Sequence, residues 1–576
     1  MTTGPFRCSC TAHLRAGARM LAILALAACD GGSVGGSGGS GDGGGGGDPT
    51  DAPSAPELPD AAGVVWPADA APDDSILACP GGPLPTIGAA IAAAPSGATI
   101  LVCPGTYPEV LVIDGKSLVL RATGGAAATI IDAGGVASAL TVRGGAVVGI
   151  DGLTLRGGVA ELGGGVHVTG ATLAMRASVI TGNRARVRGG GIYVDGEALI
   201  EDTTIAANTS GWTAGGIYLA GHAPVLRRVT VTGNQSENDG GGIYLHQSPA
   251  TIEDSTIADN SSGDDGAGIR GFTSQATFTR NVIERNHSGN DGGGIKVSHL
   301  PCQITDNVIR DNTAVGSGGG IELDNDSSQV RGGEISGNTA ARGGGIHASL
   351  WPWADGLIEG VVLRGNHADR GGGLDVEDNF QPLVARELTI VGNTADRGAG
   401  VYARSTNLTL TRSLIANNTG AWRGGGLFVR ANHPWSGECP CPPSPPALDV
   451  SFVTVYGNEA SEGAGLWTDA TGLTLSNAIV AGNRGATSVA VAAPVDVPGA
   501  TRPRPTWRFV DTTPATFAGM NDPTGNDGNL AADPAFVAAD AGDVHLASGS
   551  ACLDAGDPGM RDADGSRADM GRFGGP

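Results

Sequence analysis

Short apolar stretches alternate with polar turns along most of the chain, and two signatures recur among them at a regular spacing. The first, an aliphatic residue followed by two others and Asn, returns every 25–28 residues apart from one interval of 40. The second, Gly-Gly/Ala-Gly and an aliphatic residue, places that residue 8 or 9 positions after the asparagine. The asparagines of the first signature are Asn183, Asn208, Asn234, Asn260, Asn286, Asn312, Asn338, Asn366, Asn393, Asn418, Asn458 and Asn483.

The stretches between the signatures have the two-residue alternation of strands, as in Ile192-Tyr-Val-Asp and Ile252-Glu-Asp-Ser-Thr-Ile257. The repeat therefore predicts an all-β chain, wound as a single-stranded right-handed parallel β-helix with coils about 4.8 Å apart. One asparagine per coil can stack its amide on the next and adopt the left-handed conformation that a sharp turn demands. The glycines mark a second turn, where a Cβ atom would not fit.

The composition is acidic and rich in glycine, which narrows the function classes. Glycine occupies 98 of 576 positions without a Gly-X-Y period, so collagen is excluded. A net charge of −23 and the lack of a basic run argue against nucleic acid and anionic membrane surfaces as partners.

The first 75 residues carry targeting and linker signals. A short apolar run, 21–26, follows a leader without acidic residues, and residues 1–28 are therefore predicted to be a signal peptide. The run ends in Leu26-Ala-Ala-Cys29, which resembles a bacterial lipobox and implies lipidation of Cys29. An ordinary signal peptide with an incidental cysteine is the alternative. Residues 29–75 then form a flexible Gly- and Pro-rich linker.

The rest of the chain divides into an N-terminal cap with the first coils (76–160), the repeat coils (161–486) and C-terminal coils (487–576). Residues 87–94, an apolar run rich in alanine, are predicted to form a short helix that plugs the open edge of the first coil. Cys79 and Cys103 flank this helix, and since exported proteins keep disulfides, the two cysteines are predicted to pair.

Three regions resemble known bacterial families. The GGxI and IxxN signatures look like the repeat of chlamydial polymorphic outer-membrane proteins, and residues 85–125 resemble the opening coil of pectin-lyase-like proteins. Residues 529–576 resemble the choice-of-anchor Q region that follows surface β-helices. The resemblance implies a pectin-lyase-like solenoid, a fold that serves lyases, hydrolases, esterases and adhesins alike.

One outward column of side chains is unusually aromatic. If the aliphatic residue after the glycines points inward, the next residue points outward, and four of the six tyrosines occupy that column. The expected functional role is a glycan groove; the alternative is an aromatic ladder that only stabilises the sheet. The predicted ligand-binding residues, two of them in a neighbouring insertion, are Tyr193, Tyr218, Tyr244, His347, Trp351, Trp353, Tyr402, Phe428 and Trp467.

The middle of the same face is charged, and any catalytic site is expected there. Resemblance to lyases of this fold implies an acid cluster that binds Ca²⁺ together with a basic proton acceptor, whereas hydrolysis needs two carboxylates. The candidates are Lys296, Glu322, Asp324, Asp375 and Glu377. A second candidate Ca²⁺ site, with an acidic turn as the alternative, is formed by Asp562, Asp564 and Asp569.

These features predict an exported, lipid-anchored scaffold for surface binding or adhesion, directed at a polysaccharide or cell-surface glycan. A polysaccharide lyase or glycoside hydrolase on the same face is the first alternative, and an envelope spacer without a ligand is the second. The expected location is the outer membrane or the cell surface, with the periplasmic face of the inner membrane as the alternative. Contact with the membrane is expected through the lipid alone, and the one candidate cofactor is Ca²⁺.

Overall fold

The computed structural model describes residues 75–324, 327–349, 356–378, 382–430, 448–469, 472–492, 504–513, 515–539 and 542–575. The predicted signal peptide, the lipidation site Cys29, and Trp351 and Trp353 lie outside the described residues. All described residues belong to one compact unit.

The described chain winds as a parallel β-solenoid of about 15 turns, in agreement with the predicted fold. Each repeat coil contributes strands to four ladders, and each strand pairs in parallel with its equivalents in the coils before and after. Ladder 1 follows the glycines, ladder 2 comes next, ladder 3 precedes the repeated asparagine, and ladder 4 joins the asparagine to the next glycines. Four long strands, 166–176, 192–201, 473–481 and 506–511, run through two ladders each.

The strands of ladder 1 are Leu111–Asp114, Leu140–Arg143, Val166–Arg176, Ile192–Glu201, Ile217–Ala220, Ile243–His246, Ile269–Phe272, Ile295–Ser298, Ile321–Asp324, Ile346–Ser349, Leu374–Glu377, Val401–Arg404, Leu427–Arg430, Leu466–Thr468, Val489–Val491 and Phe517–Ala518. Ladder 2 adds Ile76–Ala78, Thr99–Val102, Leu118–Ala122, Val147–Asp151, Val225–Arg227, Thr251–Glu253, Thr277–Thr279, Gln303–Thr305, Gln329–Arg331, Gly356–Glu359, Leu383–Arg386, Leu408–Thr411, Leu448–Ser451, Leu473–Ala481 and Thr506–Asp511.

Ladder 3 contains Gly105–Tyr107, Thr129–Asp132, Thr154–Arg156, Val179–Thr181, Thr204–Ala206, Thr230–Thr232, Thr256–Ala258, Val282–Glu284, Val308–Arg310, Glu334–Ser336, Val362–Arg364, Thr389–Val391, Leu414–Ala416 and Thr454–Tyr456. Ladder 4 is a separate sheet made of Val159–Leu162, Arg184–Arg188, Thr209–Ser210, Gln235–Ser236, Ser261–Ser262, His287–Ser288, Thr313–Ala314, Thr339–Arg342, His367–Arg370, Thr394–Arg397 and Thr419–Arg423. A hairpin of Phe536–Ala538 and Asp543–Leu546 follows the coils.

The stacked asparagines are confirmed by an unbroken series of hydrogen bonds from Asn183 to Asn483. In a typical step, the backbone N–H and the Nδ2 amide of Asn260 both donate to Oδ1 of Asn286, each at 3.0 Å. The left-handed conformation predicted for the asparagine is instead adopted by the residue before it, as at Asp259 with φ 57°. That residue makes the turn, and the asparagine itself satisfies the backbone groups that the turn leaves unpaired.

The glycine corner is as tight as its sequence indicates. Gly240 has φ 66°, and a Cβ atom on Gly242 would lie 2.7 Å from the backbone oxygen of Gly268 in the next coil. Side chains are excluded here because neighbouring coils approach through their backbones.

The N-terminal end is covered by the predicted helix, Ile87–Ala93, whose Ile87, Ala90 and Ile91 are buried. Glu109 accepts hydrogen bonds from the first two backbone N–H groups of this helix, at 2.9 and 2.8 Å. The predicted disulfide joins Cys79 to Cys103 beside it, with 4.9 Å between their Cα atoms. Among the described residues, no helix is long and apolar enough to cross a membrane.

The three C-terminal aspartates proposed as Ca²⁺ ligands accept backbone hydrogen bonds in the C-terminal turns. Asp562 accepts from the N–H groups of Asp569 and Gly575, and Asp564 accepts from Ser566. Asp569 accepts from the N–H of Asp554 at 2.7 Å. These contacts are typical of an acidic turn, which is the alternative to a Ca²⁺ site for these three residues.

Candidate functional site

The outward column of ladder 1 has the predicted register, but it is not exposed. Tyr218 pairs with Tyr244, and His347 pairs with Asp375 in the following coil, as expected. Every side chain of the column between Tyr193 and Trp467 is nevertheless at most 8% exposed. The expectation of an open aromatic face is therefore wrong. The buried column members are Tyr193, Tyr218, Tyr244, Arg270, Lys296, Glu322, His347, Asp375, Tyr402, Phe428 and Trp467.

The column is buried because the chain around ladder 4 turns back over the outer face of ladder 1. The residues just before the glycines reach across it: Arg188 lies over the Tyr218 ring at 5.2 Å, and Asp265 and Asp291 both contact Lys296. The bare glycine corner permits this close return. The solenoid thus has a second interior layer, which we call the seam: the column together with the residues that cover it.

Aromatic rings fill both ends of the seam. Tyr193, Tyr218 and Tyr244 are stacked at 5.2 and 5.3 Å between ring centroids. Tyr402, Phe428 and Trp467 are stacked at 4.9 and 4.4 Å. Offset stacking of buried rings stabilises the stacked coils, which matches the structural alternative raised for these residues.

The centre of the seam begins with a buried ion cluster. The Lys296 ammonium lies 2.8 Å from a carboxylate oxygen of Asp265 and 2.8 Å from one of Asp291. Burial opposes charge on both partners; even so, the carboxylates raise the pKa of Lys296, and the ammonium lowers the pKa of Asp291. A lysine held charged in this way is a poor proton acceptor.

Beyond it lie Glu322, His347, Asp375 and Glu377, all buried. His347 Nδ1 lies 3.0 and 2.9 Å from the two carboxylate oxygens of Glu322. Burial disfavours charge on the imidazole, but the Glu322 carboxylate outweighs this and raises the pKa of His347 to about 9. For Asp375, burial raises the pKa to about 7. Both carboxylate oxygens of Asp375 and Nε2 of His347 lack a hydrogen-bond partner among the described residues.

The catalytic candidates are thus brought together, but away from solvent. Lys296, Glu322, Asp375 and Glu377 are at most 5% exposed, whereas Asp324 is partly exposed. A polymer chain cannot reach the four buried groups in this conformation.

A solvent-facing groove of about 560 Å³ lies on the outer side of ladder 4, above the His347–Glu377 part of the seam. Two of its arginines connect it to the seam, because Arg370 lies 3.1 Å and Arg342 3.7 Å from the Glu377 carboxylate. Its lining residues are Ala341, Arg342, Asp369, Arg370, Asp396, Arg397, Ala421 and Trp422.

Trp422 is the aromatic residue of this groove, and it is 44% exposed. The guanidinium carbons of Arg397 and Arg423 lie 4.5 and 4.2 Å from its ring centre. Arg423 is also paired with Glu462 at 2.7 Å, but Arg397 forms no ion pair with a described residue. Beside an exposed ring, the groove therefore offers one guanidinium, that of Arg397, without an ion-pair partner in the described part of the chain.

Sequence reasoning missed this groove, although a signal was present. Charged residues precede the glycines in successive repeats, as in Asp369-Arg370 and Asp396-Arg397, and Trp422-Arg423 occupies the same place one coil later. The alternation of residues along ladder 1 does not show whether ladder 1 or ladder 4 forms the outer surface.

The comparison with protein-family models agrees with the fold. Residues 164–340 match the family model described as right handed beta helix region. The crystal structure of pectate lyase Pel9A is similar at 12% identity, over 87% of this chain and 96% of that chain, with a TM-score of 0.22. No curated protein matches the chain. The matched repeats and the parallel ladders together identify the fold as a right-handed parallel β-helix.

Proposed function

We propose that this protein is an exported, lipid-anchored β-helix scaffold that binds anionic glycans in the groove on ladder 4. The observation that carries the proposal is the Arg397 guanidinium, which forms no ion pair with any residue that the structure describes and lies beside the exposed Trp422 ring. Arginine recognises carboxylates through paired, charge-assisted hydrogen bonds, and an exposed aromatic ring is a surface on which a sugar ring can pack.

The charge of the groove supports an anionic ligand. Three arginines and two aspartates line it, and Glu377 beneath the groove pairs with two of the arginines. The cationic group that the groove offers to a ligand is therefore Arg397, on a chain whose net charge is −23. Because the surrounding charge repels polyanions in general, binding needs a local feature of this kind. The two aspartates, Asp369 and Asp396, are exposed and can accept hydrogen bonds from sugar hydroxyl groups.

The proposal is tested by titrating the full chain with polygalacturonate and alginate, and with dextran as a neutral glycan. We expect binding to the uronate polymers that weakens as NaCl is raised, since the contacts are between charges. Arg397→Ala is expected to weaken binding about 10-fold or more, the usual loss for a hydrogen bond to a charged group. Trp422→Ala is expected to weaken it as well, because the ring holds Arg397 in place.

Two matched variants serve as controls. Arg186 is an exposed arginine of ladder 4 near its other end, and Trp212 is an exposed tryptophan outside the groove. Arg186→Ala and Trp212→Ala are expected to bind as the unaltered chain does. Equal binding by Arg397→Ala and Arg186→Ala, or equal affinity for dextran, would exclude the groove as an anionic-glycan site.

The anchoring part of the proposal rests on the lipobox-like Leu26-Ala-Ala-Cys29 and has its own test. In bacterial cells, Cys29→Ser is expected to move the protein from the membrane fraction to the soluble fraction, whereas Cys10→Ser is not. Retention of the Cys29→Ser protein in the membrane fraction would refute lipid anchoring without bearing on the groove.

A further inference from the structure

We propose that His347, Asp375 and Glu377 form a binding site for a divalent transition-metal ion, best suited to Zn²⁺, and that Glu322 positions the histidine. This site lies inside the seam, and the proposal does not rest on glycan binding in the groove above it.

The backbone brings the three residues together. His347 and Asp375 are register partners on adjacent strands of ladder 1, and Asp375 and Glu377 lie two residues apart on the strand Leu374–Glu377. One donor atom from each residue lies within 4.8 Å of the other two. Three donors at this spacing can converge on one ion with small side-chain movements.

The donors are buried and largely unsatisfied. Asp375 is fully buried, and neither of its carboxylate oxygens has a hydrogen-bond partner among the described residues. The same holds for Nε2 of His347 and, with respect to hydrogen bonds, for Oε1 of Glu377. Leaving a buried carboxylate and a buried imidazole nitrogen without partners is costly. A bound cation would satisfy all of these atoms at once.

Glu322 supplies the outer support that metal-binding histidines usually have. Its carboxylate contacts Nδ1 of His347 at 2.9 Å, which leaves Nε2 as the free nitrogen. A carboxylate that accepts a hydrogen bond from Nδ1–H fixes the ring and makes Nε2 a better ligand. The carboxylate–histidine half of a metal site is therefore already assembled.

The arginines around Glu377 are compatible with its role as a metal ligand. Arg370 and Arg404 lie 3.1 and 3.2 Å from its two oxygens. Ligating carboxylates are commonly hydrogen-bonded by an outer shell of donors, and each carboxylate oxygen has two lone pairs. Glu377 can therefore bind an ion while it keeps its arginine contacts.

The donor set selects the class of metal. One imidazole nitrogen with two carboxylates suits Zn²⁺ and its neighbours in the first transition row, whereas Ca²⁺ prefers an all-oxygen set of six to eight ligands. A second acid group, formed by Asp239, Asp264 and Asp265, provides a contrast in the same fold. It is partly exposed and has no nitrogen donor, so it serves as a control.

The site is tested on the full chain, purified after expression with added Zn²⁺ and dialysed against metal-free buffer. Elemental analysis is expected to find about one zinc per chain. Asp375→Asn and His347→Gln are expected to lose the metal, and Glu322→Gln to weaken Zn²⁺ binding about 10–100-fold. Asp264→Asn and His167→Gln are expected to retain it.

A spectroscopic measurement on the unaltered chain removes dependence on variants that fail to fold. Zinc-edge X-ray absorption is expected to show nitrogen and oxygen neighbours at about 2.0–2.2 Å, with a signature of imidazole. Absence of zinc from the unaltered chain, even after refolding with Zn²⁺, would overturn the proposal. So would zinc retained by Asp375→Asn and His347→Gln, or a shell without imidazole.

Discussion

Replacing Asn312 with alanine tests whether the asparagine stack holds the coils together. Asn312 is fully buried, and its Oδ1 accepts the backbone N–H and the Nδ2 amide of Asn286, at 3.0 and 2.9 Å. Its own Nδ2 donates to Asn338 Oδ1 and to the backbone oxygen of Ile283. Asn312→Ala therefore removes four hydrogen bonds and leaves two buried donors of Asn286 without acceptors.

The expected cost follows from those two donors. Each buried polar group left unpaired costs about 1–3 kcal/mol, so the free energy of unfolding should fall by about 2–6 kcal/mol. Urea titration followed by tryptophan fluorescence measures this as a shift in midpoint. Asn312→Asp keeps the size of the side chain but loses the Nδ2 donor and brings a carboxylate against Asn338 Oδ1, so it should also be destabilising.

The control is Asn290→Ala, because Asn290 is exposed and should change stability by no more than about 0.5 kcal/mol. If Asn312→Ala unfolded at the same urea concentration as Asn290→Ala, the stack would contribute nothing to stability. The periodic asparagines would then need another explanation.

Three further predictions concern the seam and the glycine corner. Replacing Tyr218, which is 2% exposed, with alanine should lower the free energy of unfolding by about 3–5 kcal/mol. An unchanged urea midpoint would mean that the column is open. Gly242→Ala places a Cβ 2.7 Å from the Gly268 oxygen and should destabilise by about 1–3 kcal/mol in the same assay, and an unchanged midpoint would contradict the close backbone approach. The pKa of Asp291 lies below its ordinary 3.8 because Lys296 outweighs the effect of burial, so its contribution to stability is present above that value and is lost as the pH falls through the folded-state pKa. Urea midpoints measured from pH 7 to 3 should fall, and the fall should be smaller in Lys296→Met, because that variant lacks the contribution of the Asp291–Lys296 pair.

Much of the fold could be predicted from periodicity alone. The spacing of the asparagines fixes the register of the coils, and residues one period apart, such as Tyr218 and Tyr244, are indeed ladder partners. The helix over Ile87–Ala93 and the Cys79–Cys103 disulfide were also predictable, because both follow from local sequence and the needs of an open coil end.

The burial of the column could not be predicted from the two-residue alternation of its strands. A two-residue period separates the faces of a strand, but it does not reveal whether another part of the chain covers the outer face. The cover in this fold comes from residues such as Asp291 and Arg370, whose contacts with Lys296 and Glu377 depend on the tight glycine corner. The sequence signal for this cover was the presence of opposite charges just before and just after the glycines.

The longest interval in the asparagine stack shows how the fold can acquire new parts. Asn418 and Asn458 are 40 residues apart, yet they make the same two hydrogen bonds, at 3.0 and 2.9 Å, as pairs that are 25 residues apart. Extra residues after ladder 1 therefore leave the stacking undisturbed. Evolution or protein engineering can lengthen that corner, or graft a foreign peptide into it, one coil at a time and without redesigning the supports on either side.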